Sequence, residues 1–97
     1  DELAIGAMSA LRELGITVPD DLAVVGCDGI AVAPYVEPPL TTIRLPIAEV
    51  VAHSFELLFG RFDHPQAPHA TVELPTKLVV RKSSSRKGPT LQQEDML

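Results

Sequence analysis

Apolar residues recur at helical spacing at the start of the chain and again in its middle, with short unbroken apolar runs between and after. In residues 2 to 14, Ala4, Ala7, Leu11 and Leu14 stand at i, i+3, i+7 and i+10, which predicts an amphipathic helix with this stripe on the core. Asp1 and Glu2 lie where the helix dipole favours acids, and Gly15 is placed to end the helix at its C′ position. Ile5 and Met8, with Arg12 a turn later, lie to one side of that stripe. They are either a second face kept for a subunit contact or the edge of one wide core-facing stripe. Pro19-Asp20-Asp21 is turn chemistry, and Leu22-Ala23-Val24-Val25-Gly26 does not alternate, as expected of a strand buried on both faces. Pro34, Pro38, Pro39 and Pro46 argue against a helix in residues 27 to 46, within which Thr41, Thr42 and Ile43 suit a brief strand.

Pro46 fits the N1 position of a second helix, whose apolar positions are Ile47, Val50, Val51, Phe55, Leu58 and Phe59 and whose stop is Gly60. Residues 63 to 69 read as an exposed loop. Residues 70 to 74 and 77 to 81 read as two β-rich pieces interrupted by Pro75, and from Lys82 onward the composition is that of a frayed tail. A helix, a turn and a strand buried on both faces predict an α/β layered sheet. Two helices and a few short strands do not close such a sheet by themselves, so the chain reads as a piece of a larger protein.

Composition narrows the function classes. At 97 residues there is room for one small domain, and 45% hydrophobic content with this periodicity excludes disorder. Cys27 is the single cysteine, so there is no intrachain disulfide, which fits a reducing compartment. No apolar stretch is long enough to span a membrane, and no signal peptide is visible. A net charge of −5 opposes nucleic-acid binding by the segment as a whole. Half of the eight basic residues (Arg81, Lys82, Arg86 and Lys87) follow the last apolar run, without interleaved aromatics, as a solvated tail would.

Chemistry-bearing residues are few. Asp28 sits between Gly26 and Gly29 just past the first apolar strand. There it either closes an Asx turn or presents a carboxylate to a ligand beyond the strand's carboxyl end. His53, His64 and His69 have no ligand set around them, so no metal is expected. Cys27 has no neighbouring base to lower its pKa, and no glycine-rich phosphate loop is present. No catalytic residue and no cofactor is expected.

Four blocks, in order and at matching distances, carry a family resemblance: Asp1-Glu2-Leu3-Ala4-Ile5-Gly6-Ala7, Leu14-Gly15-Ile16-Thr17-Val18-Pro19-Asp20-Asp21-Leu22-Ala23-Val24-Val25-Gly26, Pro38-Pro39-Leu40-Thr41-Thr42-Ile43-Arg44, and Leu74-Pro75-Thr76-Lys77-Leu78-Val79-Val80-Arg81-Lys82-Ser83. Residues 1 to 84 thereby resemble the C-terminal part of the effector-binding domain of the lac repressor/galactose repressor family. The resemblance implies an α/β fragment of a two-lobed, periplasmic-binding-protein-like sensor with parallel sheets flanked by helices. Residues 1 to 40 and 76 to 82 would belong to the C-terminal lobe, residues 46 to 62 to a helix of the N-terminal lobe, residues 38 to 44 to a hinge strand, and residues 85 to 97 to a flexible tail.

It implies a cytoplasmic transcription regulator that senses a small sugar-like effector, with Asp28 in contact with the effector. Asp1 would stand either at the cleft rim or as a favourable charge at the helix start. Ile5, Met8, Tyr35 and Val36 would lie at a homodimer interface. Operator DNA would be bound only through a helix-turn-helix that this sequence does not contain, and no membrane would be involved. The alternative is a periplasmic-type sugar-binding protein of the same fold. The sequence departs from the family at Cys27, where an aromatic is usual, and at Gly29, where Asp or Asn is usual, so effector identity does not carry over.

Overall fold

The computed structural model describes residues 1–86. The first helix, α1, runs over Glu2–Glu13 and ends as its sequence predicts: Gly15 has φ +74°, its N–H donates to the Arg12 carbonyl, and the Ile16 N–H donates to that of Leu11. These two bonds are the Schellman pair, and they satisfy carbonyls that the helix end would otherwise strand. A Cβ at Gly15 meets open space, so only the backbone conformation resists substitution. Gly15→Ala is therefore expected to destabilise the protein by about 1 kcal/mol, read as a lower urea midpoint at unchanged slope.

Three strands form one mixed sheet in the order β1 (Val25–Asp28), β2 (Thr41–Arg44), β3 (Lys77–Val79). β1 pairs parallel with β2 and β2 antiparallel with β3, so the expected parallel arrangement holds for the first pair only. The core beside the sheet is Met8, Ala33 and Leu40, with Ala4, Ile5, Val18, Val24, Ile30 and Val36 packed against it. This rotates α1 relative to the predicted stripe. Met8 is 3% exposed, whereas Leu14 is 74% exposed and Ala7 is exposed too. Met8, expected at a subunit contact, is thus buried in the core of its own chain. Ile5, half-buried, packs against the same core.

Several boundaries differ from expectation. The first strand starts at Val25, three residues late, and is not buried on both faces: Leu22 and Val25 are exposed. Among the described residues β1 has one neighbouring strand, and the Val24 N–H goes instead to the Ser83 carbonyl. Of residues 38 to 44, expected as a hinge strand, Thr41–Arg44 forms β2. Leu40 is fully buried and β2 is the middle strand of the sheet. The connection between β1 and β2 contains one 3-10 turn, Ala33–Tyr35, with Pro34 in its first turn. Residues 82 to 84 are not frayed: Lys82–Ser84 is another 3-10 turn, Ser83 is fully buried, and Arg81 is 3% exposed. Residues 87 to 97, most of the expected tail, lie outside the described residues.

The chain divides into two compact units, one of Asp1–Arg44 with the segment from Lys77 onward, the other Leu45–Thr76. The second unit is built on α2, Ile47–Asp63, with Pro46 as N-cap and not N1. Gly60 does not stop this helix. It continues for most of a further turn and closes with the His64 N–H on the Gly60 carbonyl, one residue before Pro65 restricts the backbone. Phe55 stacks on Phe59 at 5.7 Å between ring centroids. No residue of α2 is buried. The expected strand over residues 70 to 74 does not form; that segment has no regular secondary structure and is largely exposed between Pro68 and Pro75.

Candidate functional site

The parallel pair β1–β2 ends where the loop leaving β1 holds two successive residues of positive φ. Asp28, the last residue of β1, has φ 118°, and Gly29 has φ +74°. Positive φ in a non-glycine residue costs on the order of 1–3 kcal/mol and persists where surrounding contacts over-determine it. Gly29 is required on steric grounds as well, because a Cβ there would lie 2.9 Å from the Arg44 Cα on β2. The position where the family usually has Asp or Asn is therefore a glycine with a local reason.

Asp1 supplies the constraints. Its Oδ2 accepts the N–H groups of Gly29 (2.9 Å) and Ile30 (2.8 Å), and its Oδ1 accepts the hydroxyl of Thr42. A Cβ on Gly26 would collide with the Asp1 carboxylate, so that glycine makes the room. Sequence reasoning missed Thr42 and Gly26. The signal was a threonine in a strand predicted to be short, and it becomes specific only once Thr42 is seen to be fully buried.

Asp28 itself is exposed, and among the described residues its carboxylate makes no hydrogen bond. The Asx-turn role weighed for Asp28 is filled by Asp1, which takes the N–H of Ile30. Asp28 and Arg44 are register partners across β1 and β2. Beside them an open cleft of about 500 Å³ is lined by Gly29, Ile30, Pro34, Tyr35, Arg44 and Arg81. Neither Asp28 nor Asp1 lines it. Of the residues expected at an interface, Tyr35 is 78% exposed, while Ile5 and Val36 are half-buried against the core. Cys27 is an exposed free thiol.

The remaining candidates do not assemble. His69 contacts the Arg61 guanidinium at 2.8 Å, and His53 lies 3.7 Å from Glu56 one turn along α2. Among the described residues no three His, Cys, Asp or Glu converge as a metal site, and no helix is long and apolar enough to cross a membrane.

Comparison with known proteins gives a consistent picture. Residues 1–84 match the family model described as a periplasmic binding protein-like domain. The HTH-type transcriptional repressor PurR of Mannheimia succiniciproducens is 42% identical over 83 residues, which is 86% of this chain and 25% of that protein. A LacI family transcriptional regulator from Enterococcus faecalis V583 with bound ribose superposes with a TM-score of 0.82 at 34% identity, over 88% of this chain and 32% of the other. The lac repressor dimer bound to operator and an anti-inducer superposes with a TM-score of 0.77 at 36% identity, over 87% of this chain and 29% of the other. The chain thus spans about a quarter of the length of the curated relative.

Proposed function

The chain belongs to the periplasmic binding protein-like domain family, in the form carried by LacI-type regulators, and from that premise we propose that it is the effector-sensing segment of a DNA-binding repressor responding to a small sugar-like ligand. The observation that carries the proposal is Asp28: a carboxylate with no hydrogen bond among the described residues, held at φ 118° at the carboxyl end of a parallel strand pair. Ligands of open α/β sheets bind at that end, and an ionised carboxylate accepts two hydroxyls of a polyol without donors of its own. The mechanism is linkage without covalent chemistry. A ligand that binds one arrangement of the sensor better shifts the population toward it, and operator affinity changes by the same coupling free energy.

On this reading the unit containing the sheet belongs to the C-terminal lobe and α2 to the N-terminal lobe. The exposed Phe55, Leu58, Phe59 and Phe62 of α2 are covered by parts of the regulator beyond this segment, since an exposed apolar patch of that kind marks an interface. The whole regulator acts in the cytoplasm, and operator binding is the work of a helix-turn-helix outside the segment. The similarity to repressors favours this reading over a periplasmic sugar-binding protein. The test is calorimetric titration of the full-length protein with ribose, glucose and galactose, repeated on Asp28→Asn. Saturable binding that the variant weakens supports the proposal, and a wild-type protein that binds none of the three overturns the sugar-like assignment.

The dimer contact proposed here uses Tyr35, Ile5 and Val36, without Met8. Tyr35 is the discriminating residue because it is exposed and contributes little to its own core. Tyr35→Asp is expected to convert the full-length dimer to folded monomer in sedimentation, with a stability change within about 0.5 kcal/mol. An intact dimer would remove Tyr35 from the interface.

A further inference from the structure

We infer that Asp1 is a positioning residue for Asp28: its carboxylate pins the peptide group that follows Asp28 and so restrains the backbone that presents the Asp28 carboxylate. The inference rests on the reading of Asp28 as the effector contact. The peptide after Asp28 carries the Gly29 N–H, which donates to Asp1 Oδ2. The Ile30 N–H donates to the same oxygen, so two successive amides are fixed, and with them the peptide plane that sets ψ of Asp28. A φ of 118° at Asp28 needs such support from outside the residue, since nothing intrinsic to an aspartate favours it.

The same carboxylate fills what would otherwise be an anion-binding concavity. Successive N–H groups of Gly29 and Ile30 converge on Oδ2, and the buried Thr42 hydroxyl occupies Oδ1. Two backbone amides and a hydroxyl leave the Asp1 side chain committed to the loop and not to a ligand hydroxyl. The arrangement is built in from three elements: the start of α1, the exit of β1, and β2 through Thr42. Gly26 completes it by having no Cβ where the carboxylate sits. A favourable charge at a helix start would need none of these partners.

Substitution separates the two roles. Asn at position 1 keeps an oxygen for the Gly29 and Ile30 amides and an N–H₂ that Thr42 Oγ1 can accept, but it loses the charge. Ala loses both. In full-length protein without sugar, Asp1→Ala is expected to speed amide exchange of Gly29 and Ile30 by at least about tenfold, with α1 amides unchanged, and to weaken ribose binding by a similar factor. Asp1→Asn is expected to retain most of both. Equal losses in Asn and Ala would indicate the helix-dipole role and overturn the inference, as would Gly29 and Ile30 exchange that Asp1→Ala leaves unaltered. Faster exchange with unchanged ribose affinity overturns it too. Should Asp1→Ala fail to fold, Thr42→Val removes one of the three donors and is expected to raise exchange at Ile30, whose N–H, unlike that of Gly29, does not itself donate to Thr42; no change there overturns the clamp. The reading of Asp28 fails separately, through Asp28→Asn that binds sugar like wild type or a wild type that binds none of ribose, glucose and galactose. The exchange measurement needs no ligand and decides the clamp in either case.

Discussion

Asp28→Asn in the full-length regulator is expected to weaken sugar binding by about 1.5–3 kcal/mol, roughly tenfold to a hundredfold or more, with the fold intact. The carboxylate is exposed and uncommitted among the described residues, so its removal leaves no buried partner stranded in the free protein. The whole effect should therefore fall on the complex. Asp28→Gly sharpens the expectation, because it removes the carboxylate and relieves the positive φ together. That variant should be more stable than wild type by about 1 kcal/mol while binding at least as poorly as Asp28→Asn. Calorimetry and urea unfolding on the same samples check both halves. Undiminished affinity in either variant would take Asp28 out of the effector site.

Ser83→Ala is expected to cost about 2–4 kcal/mol of stability, read from the urea midpoint. Ser83 is fully buried, and its hydroxyl has two duties: it accepts from the Thr41 N–H at 2.8 Å and donates to the Val24 carbonyl at 2.7 Å. Its own backbone adds bonds from Ser83 N–H to the Pro39 carbonyl and from Val24 N–H to the Ser83 carbonyl. Truncation to Ala keeps the backbone bonds but strands a buried donor and a buried acceptor, each of which costs about 1–3 kcal/mol when unmet. Thr41→Val acts on the same network, because Thr41 Oγ1 donates to the Arg81 carbonyl and accepts the Arg81 N–H. The two substitutions share Thr41, so the double variant should lose less than the sum. A loss under about 1 kcal/mol for Ser83→Ala would mean that water reaches these groups.

These contacts also show where a linear reading fails. Residues 81 to 86 look like a solvated tail by composition, yet Arg81 and Ser83 are among the most buried polar residues described. Nothing local marks them. Their burial follows from the return of the chain at β3, which lays Arg81 and Ser83 against Leu40 and Thr41. The rotation of α1 has a similar origin. Ala4, Ala7, Leu11 and Leu14 form as good a stripe as Ala4, Ile5, Met8 and Leu11. The side that packs is decided by Leu40 and Ala33, some thirty residues away.

What the sequence determined by itself is what short-range physics controls. The span of α1, its stop at Gly15, the turn at Pro19 and the brief strand at Thr41 all follow from spacing, backbone freedom and turn chemistry within a few residues. Asp28 was visible too, as a carboxylate at the exit of an apolar strand. Only the tertiary structure decided the division of labour between Asp1 and Asp28. Two aspartates twenty-seven positions apart compete for one set of loop amides, and the one carried on the start of α1 takes them, which leaves the other to face outward at a cost in backbone strain. Hydrogen-bond partners across such a separation are set by how the helix docks on the sheet, and no local pattern encodes that.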